Sequence, residues 1–150
     1  TKTKPTNPLY TLDKQQSSLV YYDKNTIVLT MPYWVKVTNS SVEESEVKKH
    51  SFVLSYDPEA MTASDTKLKL YISHVVEDAG ETVTRSNFTY AYRAYSIRAA
   101  LAAFKEKTGK LPKYLELTAE INNSKDELVD KDGKETSVER SVEYDYAFTE

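Results

Sequence analysis

The side chains in this sequence with the means to do chemistry are two histidines and a surplus of carboxylates; cysteine is absent. His50 and His74 lie far apart along the chain. A zinc site wants three or four ligands, usually with a local pair, so this spacing does not make one. Without cysteine there is no thiolate metal site, no disulfide staple and no Cys nucleophile. His74 shares the apolar face of an alternating segment with Leu68, Leu70, Ile72 and Val76. It reads as a half-buried histidine bonded to a neighbour. His50 follows Lys48 and Lys49 and reads as facing solvent.

Glu143 and Asp145 stand two apart on a strand face, a spacing a carboxylate-dependent hydrolase could use. A solvated acidic face is the commoner origin of such a pair. Asp130, Asp132, Gly133 and Glu139 fit part of an EF-hand frame. Its first ligand position falls on Leu128, which cannot bind calcium. The chain has no Gly-x-Ser-x-Gly, and its three glycines leave no loop to cradle a phosphate. The expectation is therefore no catalytic residues, no metal and no cofactor.

Charge is unevenly placed. Net charge is −3, yet residues 85–113 hold seven Lys/Arg and one acid, while residues 114–150 hold eleven acids and four bases. Arg85, Arg93, Arg98, Lys105 and Lys110 make a candidate basic patch, interleaved with Phe88, Tyr90, Tyr92 and Tyr95. Such interleaving suits single-stranded nucleic acid. An acidic chain argues against it, and a core helix with a charged outer face explains it more simply.

These groups sit on a scaffold that reads as strand after strand. Residues 93–108 are the exception: rich in Ala, they end at Gly109 with Pro112 beyond, and predict the one main α-helix. Residues 18–22 and 26–30 flank Asp23-Lys24-Asn25 as a hairpin. Residues 33–38, 51–56 and 67–77 read as further strands, and 82–89 as a return strand. Leu115, Leu117, Ala119 and Ile121 alternate with polar residues, as do Val142, Tyr144, Tyr146 and Phe148. Asp132-Gly133 between them predicts a long terminal hairpin whose paired numbers sum to 265, with Ile121 facing Tyr144. Its tip would either project as an arm or be a long disordered loop capping a shorter hairpin. Asp130, Asp132, Gly133 and Arg140 on that arm are the candidate partner-binding residues.

The fold class expected is α+β: a single domain over residues 17–150, with mainly antiparallel sheets of six to eight strands. The helix at 93–108 should pack on a sheet face, and the long hairpin should close the chain. An all-β sandwich with a peripheral helix is the alternative. The order of elements resembles small α+β ectodomains of bacterial surface proteins, a likeness of architecture that assigns no site.

Residues 1–16, polar and carrying Pro5 and Pro8, read as a linker left by removal of a signal, anchor or preceding domain. No apolar run reaches the ~18 residues of a membrane span. Together these features predict a non-catalytic binding or structural module. It would be exported, displayed on a bacterial cell surface or on a virion, and act through contacts with a protein partner. A small carboxylate-dependent hydrolase is the competing class, and a nucleic-acid binder the third.

Overall fold

The computed structural model describes residues 3–81, 83–122, 128–130 and 137–148. The chain is mostly β, in two sheets, with few helices. The first sheet has the order β1-β2-β6, from Ser18–Asp23, Thr26–Val35 and Asn87–Ser96. The second has the order β3-β4-β7-β9, from His50–Ser55, Lys67–Val76, Tyr114–Ile121 and Val138–Asp145. Two short strands, β5 (Val83–Arg85) and β8 (Leu128–Asp130), form a separate antiparallel ladder.

The predicted hairpin at Lys24-Asn25 is present, and Asp23 accepts the Asn25 backbone N–H. Pro32 does not break β2. Pairing with β1 stops at Thr30, so Pro32, which has no N–H to give, lies beyond it. Residues 82–89 do not return onto β4: they supply β5 and the start of β6, and β6 pairs with β2 over its full length. The second sheet is mixed. β4 and β7 run parallel, and the crossover between them contains β5, β6 and the main helix.

That helix, α2 (Arg98–Thr108), starts five residues later than the sequence predicts, because residues 93–96 complete β6. Ser96 is not its N-cap; Ile97 is. Gly109 ends it at φ +80°, in the left-handed region, as the stop signal requires. Open space surrounds a Cβ added there. Gly109→Ala should thus cost only the backbone term, about 1–2 kcal/mol, read as a lower urea midpoint. Ala100, Leu101 and Phe104 are buried, and the Ile97 N–H binds the Asn25 carbonyl in the first hairpin. Leu101 and Ala102 also share a groove with Lys24, Tyr146 and Phe148. The helix therefore packs against β4 of the second sheet and the turn at Pro58–Ala60, at the end of the sheets that carries the first hairpin.

The core is drawn from both sheets: Ile27, Leu29, Met31 and Tyr33 from one, Leu68, Leu70, Ile72, Leu115, Leu117 and Ile121 from the other. Tyr144 and Phe148 pack against it, half-buried. The N-terminal segment is not a solvated linker. Leu9 and Leu12 are buried in the core, and Leu9 bridges to both Tyr33 and Ile121, joining the two sheets.

The terminal pairing differs from the expected register. Ile121 faces Val138 and Leu115 faces Tyr144, so the pairs sum to 259. β7 and β9 are not joined by a simple hairpin, since β8 leaves between them to pair with β5. The Asp132-Gly133 turn lies outside the described residues.

Candidate functional site

The two histidines come together. At the end of the sheets away from α2, the short helix α1 (Glu44–Val47) places Glu46 over the first residue of β3, His50. His50 pairs across the ladder with Val76, which carries β4 and His74 alongside. His50 is buried, contrary to the solvent-facing expectation, and His74, expected half-buried, is fully buried. The rings stack, with centroids 5.0 Å apart, and His74 lies flat on Phe52. No spacing rule finds this pair, because antiparallel pairing of β3 with β4 creates it.

Four groups form a hydrogen-bonded row. The Pro8 carbonyl lies 3.1 Å from His74 Nδ1, His74 Nε2 lies 2.8 Å from His50 Nδ1, and His50 Nε2 lies 2.9 Å from Glu46 Oε2. Both ends of the row are acceptors. Three hydrogen bonds need three ring protons, and two neutral imidazoles carry two. Burial lowers the proton affinity of both rings, His74 down to about 3, with His50 beside it as the second cause. Burial also works against the Glu46 charge, but hydrogen bonds from Arg85 and His50 outweigh it and hold the carboxyl at about 2. The ionised carboxylate therefore accepts a hydrogen bond from His50 Nε2–H. That leaves one ring proton for two contacts, so a neutral His74 donates either to His50 Nδ1 or to the Pro8 carbonyl.

Arg85 completes the network. It is fully buried. Its Nε donates to Glu46 Oε2 at 2.9 Å, and its Nη1 and Nη2 donate to the two Asp78 oxygens at 2.9 and 2.7 Å. The Lys36 backbone N–H also binds Glu46. Burial opposes the Arg85 charge, but the bonds to Asp78 and then Glu46 raise its affinity for the proton above the usual value. Fork geometry on two carboxylates is something only arginine offers. The three surface grooves described are lined by other residues. The network clamps the 36–49 connection to β4 and β5.

The candidate basic patch is accordingly not one surface. Arg85 belongs to the interior, and Arg93 lies 5.1 Å over the Phe52 ring. Arg98 and Lys105 flank the groove beside α2, and Lys110 lies past the helix end in a different groove. The candidate partner-binding set does not converge either. Arg140 is exposed on β9 opposite Ala119, Asp130 ends β8 opposite Val83, and Asp132 and Gly133 lie outside the described residues. Glu143 faces Glu116 across the β7–β9 ladder, and Lys67 binds Glu143 at 2.7 Å. These carboxylates stand on an open sheet face.

A surface that sequence reading missed lies on the first sheet. Side chains alternate between faces in a strand. In β1, β2 and β6 the odd positions include the buried Ile27, Leu29, Met31, Tyr33 and Ala91. The even positions face the other way: Pro32 and Trp34 are buried beneath Tyr10, and the rest are exposed or half-buried. They are Ser, Thr, Val, Ala, Pro, Tyr, Phe and Trp, and the one charge on this side is Asp23 at its rim, which the β1 bulge sets opposite Thr26. Val20, Tyr22 and Tyr92 are 58%, 79% and 66% exposed, and Phe88 and Tyr90 are also exposed. Tyr10, from the N-terminal segment, stacks on Phe88 with centroids 4.1 Å apart and meets Trp34 edge-on. In a chain that is 29% charged, this face carries five exposed large side chains and one charge, at its rim.

Two packed sheets, one antiparallel and one mixed, with a helix at one end and a buried ion network at the other, define a mostly β module. Its architecture matches that of a candidate lipoprotein from Bacteroides fragilis NCTC 9343, 26% identical, with a TM-score of 0.78. The likeness covers 99% of this chain and 66% of that one, so the chain spans about two thirds of that protein's length. No protein-family model matches the chain, and no curated protein does. Among the described residues no helix is long and apolar enough to cross a membrane.

Proposed function

We propose that this chain is a non-catalytic binding module of an exported bacterial surface protein. Its contact with a protein partner runs through the outer face of the β1-β2-β6 sheet. The observation that carries the reading is that face, uncharged except at its rim, with Tyr22, Tyr90 and Tyr92 exposed on it. Aromatic side chains are over-represented, and charged ones depleted, at the centres of protein interfaces. The likeness to a candidate lipoprotein supports placement at the cell surface. The isolated pair Glu143 and Asp145 offers less to a hydrolase, since Lys67 already holds Glu143.

Two measurements test this. Proteinase added to intact cells of the native host should digest the full-length protein while a cytoplasmic marker survives; protection of both would remove the surface placement. An envelope extract passed over the immobilised module should leave a bound partner. The double variant Tyr22→Lys/Tyr92→Lys should lose about tenfold or more in affinity, and Arg140→Ala should lose little. A partner that instead tracks Arg140 would return the contact to the C-terminal strand.

A further inference from the structure

The outer edge of β6 is unlike the other sheet edges. Native proteins guard an open edge with charge, proline, a bulge or a cover. β9 carries Glu139, Arg140, Glu143 and Asp145. β1 is short and bulged near Asp23. On β3 the Phe52 carbonyl is covered by the Tyr95 hydroxyl at 2.8 Å. β6 runs ten residues without proline, in unbroken register with β2. Its one charged residue, Arg93, turns onto the Phe52 ring and its own neighbour's carbonyl.

The direction of the free backbone groups follows from three contacts. The Pro32 carbonyl accepts from Tyr10, so it points away from β6, and its partner Tyr90 must point away from β2. The Ile97 N–H reaches back to the Asn25 carbonyl, so odd residues of β6 face β2. The Arg93 guanidinium reaches the Tyr92 carbonyl at 3.0 Å on the outer side. The N–H and C=O of Phe88, Tyr90, Tyr92 and Ala94 therefore point outward, and among the described residues no strand pairs with them.

We infer that this edge pairs with the same edge of a second copy, antiparallel about a two-fold axis. Outward groups can meet only outward groups, so paired numbers must sum to an even value. A sum of 180 places Tyr90 against Tyr90 of the second copy and Phe88 against Tyr92 twice. All three exposed aromatics then meet aromatics, the cross-strand pairs that stabilise ladders best. Arg93 falls opposite Asn87, so no like charges oppose. The segment is self-complementary, as a two-fold interface requires. The two outer faces fuse into one sheet surface, with Arg93 giving up the Tyr92 carbonyl to the Phe88 N–H of the second copy.

The chain has no cysteine, which makes a single introduced thiol a clean probe. Sedimentation of the wild-type chain should show a dimer that dissociates on dilution. Tyr90→Lys puts two ammonium groups on the axis and should weaken the dimer about tenfold or more while leaving the unfolding midpoint of the monomer unchanged. Tyr90→Cys should oxidise to a covalent dimer, because residues facing each other on the axis lie within disulfide reach. Tyr22→Cys, exposed on the far strand of the same sheet, should not. A wild-type chain that stays monomeric at the highest soluble concentration overturns the inference, and so does a dimer insensitive to Tyr90→Lys. Cross-linking through Tyr92→Cys in place of Tyr90→Cys overturns the register. None of these outcomes depends on the protein partner proposed above, since all are read on the purified chain alone.

Discussion

Replacing Arg85 with alanine should cost about 3–5 kcal/mol of stability, the range for removing one partner from a buried ion pair. Arg85 is fully buried and is held by Glu46 on one side and Asp78 on the other. The two carboxylates lose the same guanidinium at once. Lys49, 3.7 Å from Asp78, still screens that side, but Glu46 keeps only the Lys36 N–H and His50. Urea unfolding should show a lower midpoint with an unchanged slope, since the surface exposed on unfolding is the same. Arg85→Lys should recover little, because one ammonium cannot bond both carboxylates as the fork does. Removing Glu46 and Arg85 together, as Glu46→Gln with Arg85→Met, should cost less than the sum of the single changes. A loss below about 1 kcal/mol for Arg85→Ala, the scale of an exposed pair, would mean that water reaches the cluster.

Arg85 also shows where sequence reading failed. Its neighbours in the chain are basic and aromatic, so it was grouped with them. What decides its role is its place on β5, paired with β8 and not with β2, together with two acids brought in from elsewhere in the chain. His50 failed for the same reason. Two preceding lysines suggest solvent, yet strand alternation turns the histidine inward beside a partner 24 residues away. Long-range pairing creates such sites, and local pattern carries no trace of it.

The parts that were legible rest on local chemistry. Asn25 made the first turn, Gly109 ended the helix, and the alternation of Leu115, Leu117, Ala119 and Ile121 gave a half-buried strand. The register of β7 with β9 was misread for an instructive reason. The expected and observed sums, 265 and 259, are both odd, and they differ by an even number. An even slip keeps every apolar side chain on the core face, so agreement of faces could not distinguish the two. Likewise β4 and β7 each alternate as any half-buried strand does, and nothing in either says that they run parallel. The linker reading of the first sixteen residues gave weight to two prolines and overlooked Leu9 and Leu12, which are among the most buried side chains in the chain.

The histidine row should make the domain lose stability as pH falls from about 7.5 to 5.5. Both rings are held neutral in the fold: burial lowers His50, and burial with His50 beside it lowers His74 to about 3. In the unfolded chain each takes a proton near the ordinary value of about 6.5. Below that value the unfolded state binds more protons than the folded one, so acid favours unfolding. A histidine that stays neutral contributes about 1.4 kcal/mol of loss per pH unit below that value, so His74 should remove about 1.4 kcal/mol by pH 5.5, and His50 acts in the same direction. Stability is full above the unfolded value and falls below it, well before Glu46, at about 2, begins to titrate. Unfolding free energies from urea at pH 7.5, 6.5 and 5.5 measure the slope. His74→Phe keeps the stack on Phe52 and should make that slope shallower, whatever it does to absolute stability. A row that holds a third proton, with His74 donating to the Pro8 carbonyl and the pair a cation beside Glu46, would instead give a stability maximum near the ordinary value of about 6.5, because the unfolded chain then binds fewer protons above that pH and more below it. The slope thus counts the protons in the row, which distances between heavy atoms leave open.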